Sequence, residues 1–224
     1  MNLKTSYLFF PFFIYFSCSS PTNGQQSSLL CGLRSIDIGD KMICLPEISD
    51  MTECFHDKRA KKRLSLLAPY QKTTRSVALY VKNEDLTNLT NDEIILKKYV
   101  ILNTIKSVEK IKATIKELNI VTEKFKKSSV SEYFQFDKST PLTHNGTEQI
   151  EFYKINNHSS SLINLSKISS QNVEYYVVFI SNILLVKNRI LILNFYQKYE
   201  NFESINFAKK NNEEIVLEFL KSNS

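Results

Sequence analysis

Only 4 glycines and 5 prolines punctuate 224 residues. So few breakers leave little room for long loops, and 4 glycines cannot build a glycine-rich phosphate cradle. Histidine is scarcer still, with 3 in the chain: His56, His144 and His158. None stands at the spacing of a zinc-binding H-E-x-x-H helix, and none lies near a G-x-S-x-G nucleophile elbow. Carboxylates such as Glu47 and Asp50, or Glu213 and Glu214, read as surface charge. These absences predict no catalytic residue, no metal and no cofactor, and they lean away from an enzyme.

What is present begins at the N-terminus. Lys4 precedes a short apolar run over residues 7–16, interrupted only by Pro11. About ten residues are too few to cross a bilayer as a helix, and the pattern fits a signal peptide. The run ends in Ser17-Cys18-Ser19-Ser20. With a small residue directly before the cysteine, this stretch resembles a bacterial lipoprotein precursor. The resemblance covers about the first twenty residues. It implies that 1–17 is removed and that Cys18 becomes an acylated N-terminus (palmitate or a similar chain). It also implies that the protein is held to a membrane of the cell envelope; without acylation it would be secreted. Residues 18–32, rich in Ser, Thr, Asn, Gly and Gln, read as a flexible tether.

The other cysteines are Cys31, Cys44 and Cys54, an odd number for an oxidising compartment. Cys44 falls in a strand-like run over 41–45 and reads as a small core residue. The expected disulfide is therefore Cys31 with Cys54. The gaps are too long for a zinc site.

Hydrophobic residues make up 42% of the chain, enough for one globular domain over 33–224. Its centre is read at residues 173–199, two β-branched and aromatic runs separated by Lys187-Asn188. Neither run alternates: Tyr175, Val177 and Phe179 on one side face Tyr176, Val178 and Ile180 on the other. A strand apolar on both sides is buried on both sides. Further strands are expected at 76–82, 149–155 and 162–168, with a turn around Asn145-Gly146. Thr90 and Glu93 fit a capping box. Behind it Ile94, Ile101, Ile105, Val108, Ile111, Ile115 and Leu118 form a stripe that predicts one long helix. A C-terminal helix is expected through Ile205, Ala208, Ile215, Phe219 and Leu220, with Asn211-Asn212 as its weak point. The fold class is α+β, a largely antiparallel sheet with a central hairpin and a helix layer on each face. In order and layout it resembles PsbP-like α/β/α sandwiches, an architectural likeness that transfers no function.

The net charge is +6 and the pI near 9.0. The densest basic run is Lys58, Arg59, Lys61, Lys62 and Arg63, which could touch an anionic lipid surface. No aromatic residue is interleaved to stack on bases, so nucleic acid is not an expected partner. The run reads as a solvated face. Sequons stand at Asn88, Asn145, Asn157 and Asn164. The functional expectation is a membrane-anchored, non-catalytic binding or structural module of the cell envelope. The sequence names no protein partner. A carrier of a small apolar ligand, or an enzyme with an unrecognised site, are the alternatives.

Overall fold

The computed structural model describes residues 31, 34–67, 73–90, 96–127, 142–170 and 173–224. The signal segment, Cys18, the tether up to residue 30, and most of the Thr90 capping box lie outside them. Among the described residues nine strands form two sheets. A two-stranded hairpin joins β1 (Ser35–Ile38) to β2 (Lys41–Cys44). The main sheet contains β3 (Met51–Glu53), β4 (Thr74–Lys82), β5 (Lys98–Ile105), β6 (Leu142–Asn156), β7 (Ser159–Ser170), β8 (Val173–Val186) and β9 (Arg189–Lys198). Its order is β3-β4-β5-β9-β8-β7-β6, and every neighbouring pair is antiparallel. Among the described residues three α-helices accompany it: α1 (Lys58–Leu67), α2 (Ile115–Lys127) and α3 (Glu203–Lys221).

The hairpin β8–β9 occupies the centre, as its non-alternating sequence requires. Lys187 and Asn188 both have positive φ, at 44° and 62°, the geometry of a two-residue primed turn. Val178, Ile180, Leu184 and Val186 pack in one cluster with Ala208, Ile215, Val216 and Phe219 of α3. Val177 and Phe179, which point the other way, cluster with Ala60 and Leu64 of α1. Ile183 and Leu185 join Leu118 and Phe125 of α2 in a third cluster. Across this second face three rings stack: Tyr99 on Tyr196 at 4.4 Å and Phe179 on Tyr196 at 4.7 Å between centroids.

The single long helix expected behind Thr90 does not form. Residues 98–105 are strand β5, sandwiched between β4 and β9. The isoleucine spacing suits a helix, but Tyr99, Val100, Ile101 and Leu102 are all buried, neighbours pointing to opposite faces. Packing on two faces overrides a periodicity signal. The chain then turns through bonds from the Val108 amide to the Ile105 carbonyl and from Ile111 to Val108. The helix starts only at Ile115, under a different capping box. The Glu117 carboxylate accepts from the Thr114 amide at 2.9 Å and from its hydroxyl, whose oxygen accepts from the Lys116 amide at 3.2 Å.

Two smaller expectations also change. Asn145-Gly146 is not a turn between elements but lies inside β6, where the register against β7 shifts between His144 and Thr147. Asn212 is not a weak point in α3: it is fully buried and bonded to Asn182 and Tyr153. The expected strands at 41–45, 76–82, 149–155 and 162–168 and the C-terminal helix are all present.

Candidate binding hollow at the N-terminal staple

The β1–β2 hairpin turns at Gly39, whose φ of 63° favours glycine. A Cβ there would also come within 2.8 Å of the Glu109 carbonyl oxygen. At the hairpin's open end Ser35 pairs with Cys44, and the Leu45 amide donates to the Arg34 carbonyl at 3.0 Å. This pairing brings the preceding Cys31 beside Cys44, and the two form a disulfide with Cα atoms 4.8 Å apart. The expected pairing of Cys31 with Cys54 is thereby corrected. Cys54 follows β3, continues its pairing with β4 through an amide bond to the Leu79 carbonyl, and is a buried free thiol. The C-terminus fastens the same region: Asn223 accepts from the Cys44 amide at 2.8 Å and donates to the Cys44 carbonyl at 2.9 Å.

Two hollows open around this staple, of about 540 Å³ and about 640 Å³. Arg34, Leu45, Thr52 and Glu53 line both. Between them Arg34 Nη1 lies 2.8 Å from Glu53 Oε2 and also donates to the Glu53 carbonyl. The Glu53 side chain is 8% exposed and Arg34 49%, so a nearly buried carboxylate is met by a half-exposed guanidinium. The other Glu53 oxygen accepts from the Phe55 amide at 2.8 Å.

The smaller hollow is walled by the Cys31–Cys44 disulfide, Pro46, Ile48, Met51 and Tyr80. Tyr80 donates its hydroxyl to the Pro46 carbonyl at 3.1 Å. Burial raises its pKa well above that of a free phenol. His56, Asp57 and Arg59 line the larger hollow. Arg59 grips Asp57 with both Nε and Nη2, the latter at 2.7 Å, while the Arg59 amide donates to the same carboxylate at 2.8 Å. The side-chain bonds from Arg59, then its amide, pull Asp57 down to about 2. Cys54 also touches this hollow. Burial first, then the charges of Glu53 and Asp57, push its thiol up to about 12, so the thiolate needed for nucleophilic chemistry is suppressed. What the arrangement offers is recognition by matched charges and hydrogen bonds.

The basic run predicted as one exposed face divides. Lys58, Arg59, Lys61 and Lys62 are exposed on α1, whereas Arg63 is 5% exposed. Positions 60, 63 and 64 share the inward stripe at helical spacing, which carries Arg63 in with Ala60 and Leu64. Of the sequons, Asn164 is fully buried, its amide bonded to the Leu162 carbonyl, so the folded chain cannot present it to a glycosyltransferase. No cluster of three metal-ligating side chains occurs among the described residues. The Arg34–Glu53 pair carries no sequence signal, because nineteen positions separate its members. The Cys31–Cys44 pair did have one: two four-residue runs about Gly39-Asp40 form a hairpin that returns Cys44 toward Cys31.

No protein-family model matches this sequence, and no curated protein does. Among solved structures, the chain is similar to the Saccharomyces cerevisiae Ran-binding protein Mog1p, at 9% identity and a TM-score of 0.31, over 85% of this chain and 91% of that one. It is likewise similar to a point mutant of Mog1, at 10% identity and a TM-score of 0.32, over 85% and 93%. A likeness of that strength carries nothing about function to this chain.

Proposed function

We propose that this is an exported protein, anchored to a membrane of the cell envelope through acylated Cys18, and that its domain is a non-catalytic binding module with the joined hollows as its ligand surface. One observation carries the reading. The Cys31–Cys44 disulfide, whose first cysteine stands thirteen positions beyond Cys18, lines the smaller hollow. Disulfides persist in oxidising compartments, which supports export, and this one ties the end of the tether to the wall of the candidate site. We read the three core clusters as an α/β/α sandwich, α3 over one sheet face and α1 and α2 over the other.

Ion pairs wall the larger hollow, so a polar ligand suits it better than an apolar one. The apolar-carrier reading therefore ranks behind. An enzyme would need a nucleophile or base other than Cys54, whose thiol stays protonated.

The anchor is tested by labelling with a fatty-acid analogue, followed by detergent phase partitioning. Acyl chains contribute about 0.8 kcal/mol per buried methylene, so two or more hold firmly. Wild type and Cys54→Ala should carry label and enter the detergent phase, while Cys18→Ala should stay unlabelled. Label that persists in Cys18→Ala would rule the anchor out.

A further inference from the structure

Strand β3 is outermost on its side of the main sheet, so one of its two backbone edges has no neighbouring strand. The alternation of antiparallel bonds says which groups that edge presents. The Cys54 amide donates to the Leu79 carbonyl at 2.8 Å, and the Asn83 amide to the Asp50 carbonyl at 3.0 Å. Counting inward in twos from both bonds, the backbone groups of Thr52 face β4, and those of Met51 and Glu53 point outward. The Glu53 carbonyl agrees, since it accepts from the Arg34 side chain and not from β4. The Met51 amide is used by a turn, donating to the Ile48 carbonyl at 3.1 Å. Among the described residues nothing pairs with the Glu53 N–H or the Met51 carbonyl, a donor and an acceptor on one edge.

This edge runs between the two hollows. Met51 and Tyr80, of the cluster under α3, line the smaller one; Cys54 and Leu86, of the cluster under α1, line the larger. Ser35, whose backbone groups point away from β2 by the same alternation, also lines the larger hollow. Arg34 spans both and is only half used. Its Nη1 holds Glu53, while Nε and Nη2 bond to nothing among the described residues. Those two nitrogens are the fork with which Arg59 grips Asp57. A planar fork of this kind matches a carboxylate. Glu53 and Asp57 are already paired with arginines, and Glu47 lines only the smaller hollow. The opposite edge of the sheet is built differently. The pairing of β6 with β7 shifts register three times, each time with one extra residue on β6. Such bulges keep an edge from taking another strand.

We propose that the outer edge of β3 takes an extended segment of a partner protein as an added strand, with an acidic side chain of that segment held by the Nε–Nη2 fork of Arg34. Backbone bonds at the Glu53 N–H and the Met51 carbonyl fix its register, and the hollows receive side chains that alternate to either side of it. The inference rests on the reading of the hollows as a binding surface and names their occupant.

The test selects short random peptides on the oxidised full-length chain carrying Cys18→Ala. The peptides are displayed with their C-termini fused to a phage coat protein, so only side chains supply carboxylates. Enriched peptides should carry Asp or Glu at one fixed position. Synthesised with amidated C-termini, they should slow hydrogen exchange at the Glu53 amide. Exchanging the peptide's acid for its amide should weaken binding about tenfold to a hundredfold, the worth of hydrogen bonds to a charged group. Arg34→Gln should weaken the acidic peptide to the same degree and leave the amide peptide unaffected. The peptide exchange leaves the protein unaltered, so a fold defect in Arg34→Gln cannot imitate it. Three results would overturn the proposal: no enrichment, enriched peptides indifferent to their acid, or binding that leaves exchange at Glu53 unchanged. In that last case, chemical-shift changes confined to the hollows would keep them as the binding surface and remove only the added strand. Changes confined to other parts of the domain would remove both readings.

Discussion

Asn182 of β8 and Asn212 of α3 hold each other by reciprocal amide bonds. The Asn182 amide donates to Asn212 Oδ1 at 2.7 Å, and Asn212 donates back to Asn182 Oδ1 at 2.9 Å. Both are fully buried. The Ser161 hydroxyl and the Leu193 carbonyl bond to Asn182, and the Tyr153 hydroxyl to Asn212. The pair thus fixes where α3 sits over the sheet. Removing one partner strands the other, at a cost of about 1–3 kcal/mol. Asn182→Ala and Asn212→Ala should each lose that much in urea denaturation. The double variant should lose clearly less than the sum, because the stranded group is gone. Additive losses would mean that the two amides act separately.

That clasp also shows what the sequence could and could not reveal. Val177 to Ile180 announce a strand buried on both sides by composition alone, and the central hairpin follows from them. Asn212 reads from sequence as a helix weakness, because its partner stands thirty positions away. Ile101 and Ile105 fit a helical stripe, and only the strands on either side of β5 make them extended. The Arg34–Glu53 pair fails to show for the same reason as the clasp: its meaning lies in tertiary neighbours. Thr114 and Glu117 were legible, having the same capping-box spacing as Thr90 and Glu93, but the longer stripe masked them.

The central strands offer a direct test. Val178 and Leu191 are fully buried, so Val178→Asp or Leu191→Asp places a carboxylate in the core with no partner. The penalty is on the order of several kcal/mol. At roughly 2–4 °C per kcal/mol for a domain of this size, thermal melting should fall by about 10 °C or more, if the variants fold at all. Melting within a few degrees of wild type would remove these strands from the centre.

The staple predicts a thiol pattern. In the native protein Cys54 should resist alkylation, being buried with its thiol pushed up to about 12. Unfolding without reductant should expose Cys54 while Cys31 and Cys44 stay blocked. Reduction should then release both together. A peptide map of the unreduced protein should join the segments carrying Cys31 and Cys44. A fragment linking Cys31 to Cys54 would contradict the hairpin that brings the first pair together.

Asp57 predicts a pH dependence confined to acid. The carboxylate opens α1, with the Arg59 amide at 2.8 Å and the Lys61 amide on its backbone carbonyl at 3.0 Å. Bonds from the Arg59 side chain and amide hold it down to about 2, below the ~3.9 of a free aspartate. A depressed folded value means that the unfolded chain takes up the proton first as pH falls. The contribution of the charge is therefore complete above about pH 4 and disappears as pH drops through about 2. Asp57→Asn separates charge from cap, because asparagine is an equally good N-cap residue. Wild type should melt higher than the variant at pH 5, and the gap should close as pH approaches 2. The carboxylate is exposed and its attraction to Arg59 is screened by solvent, so the gap should be small and should shrink further in high salt. Melting curves that run parallel from pH 5 to pH 2 would show that the Asp57 charge adds nothing to the start of α1.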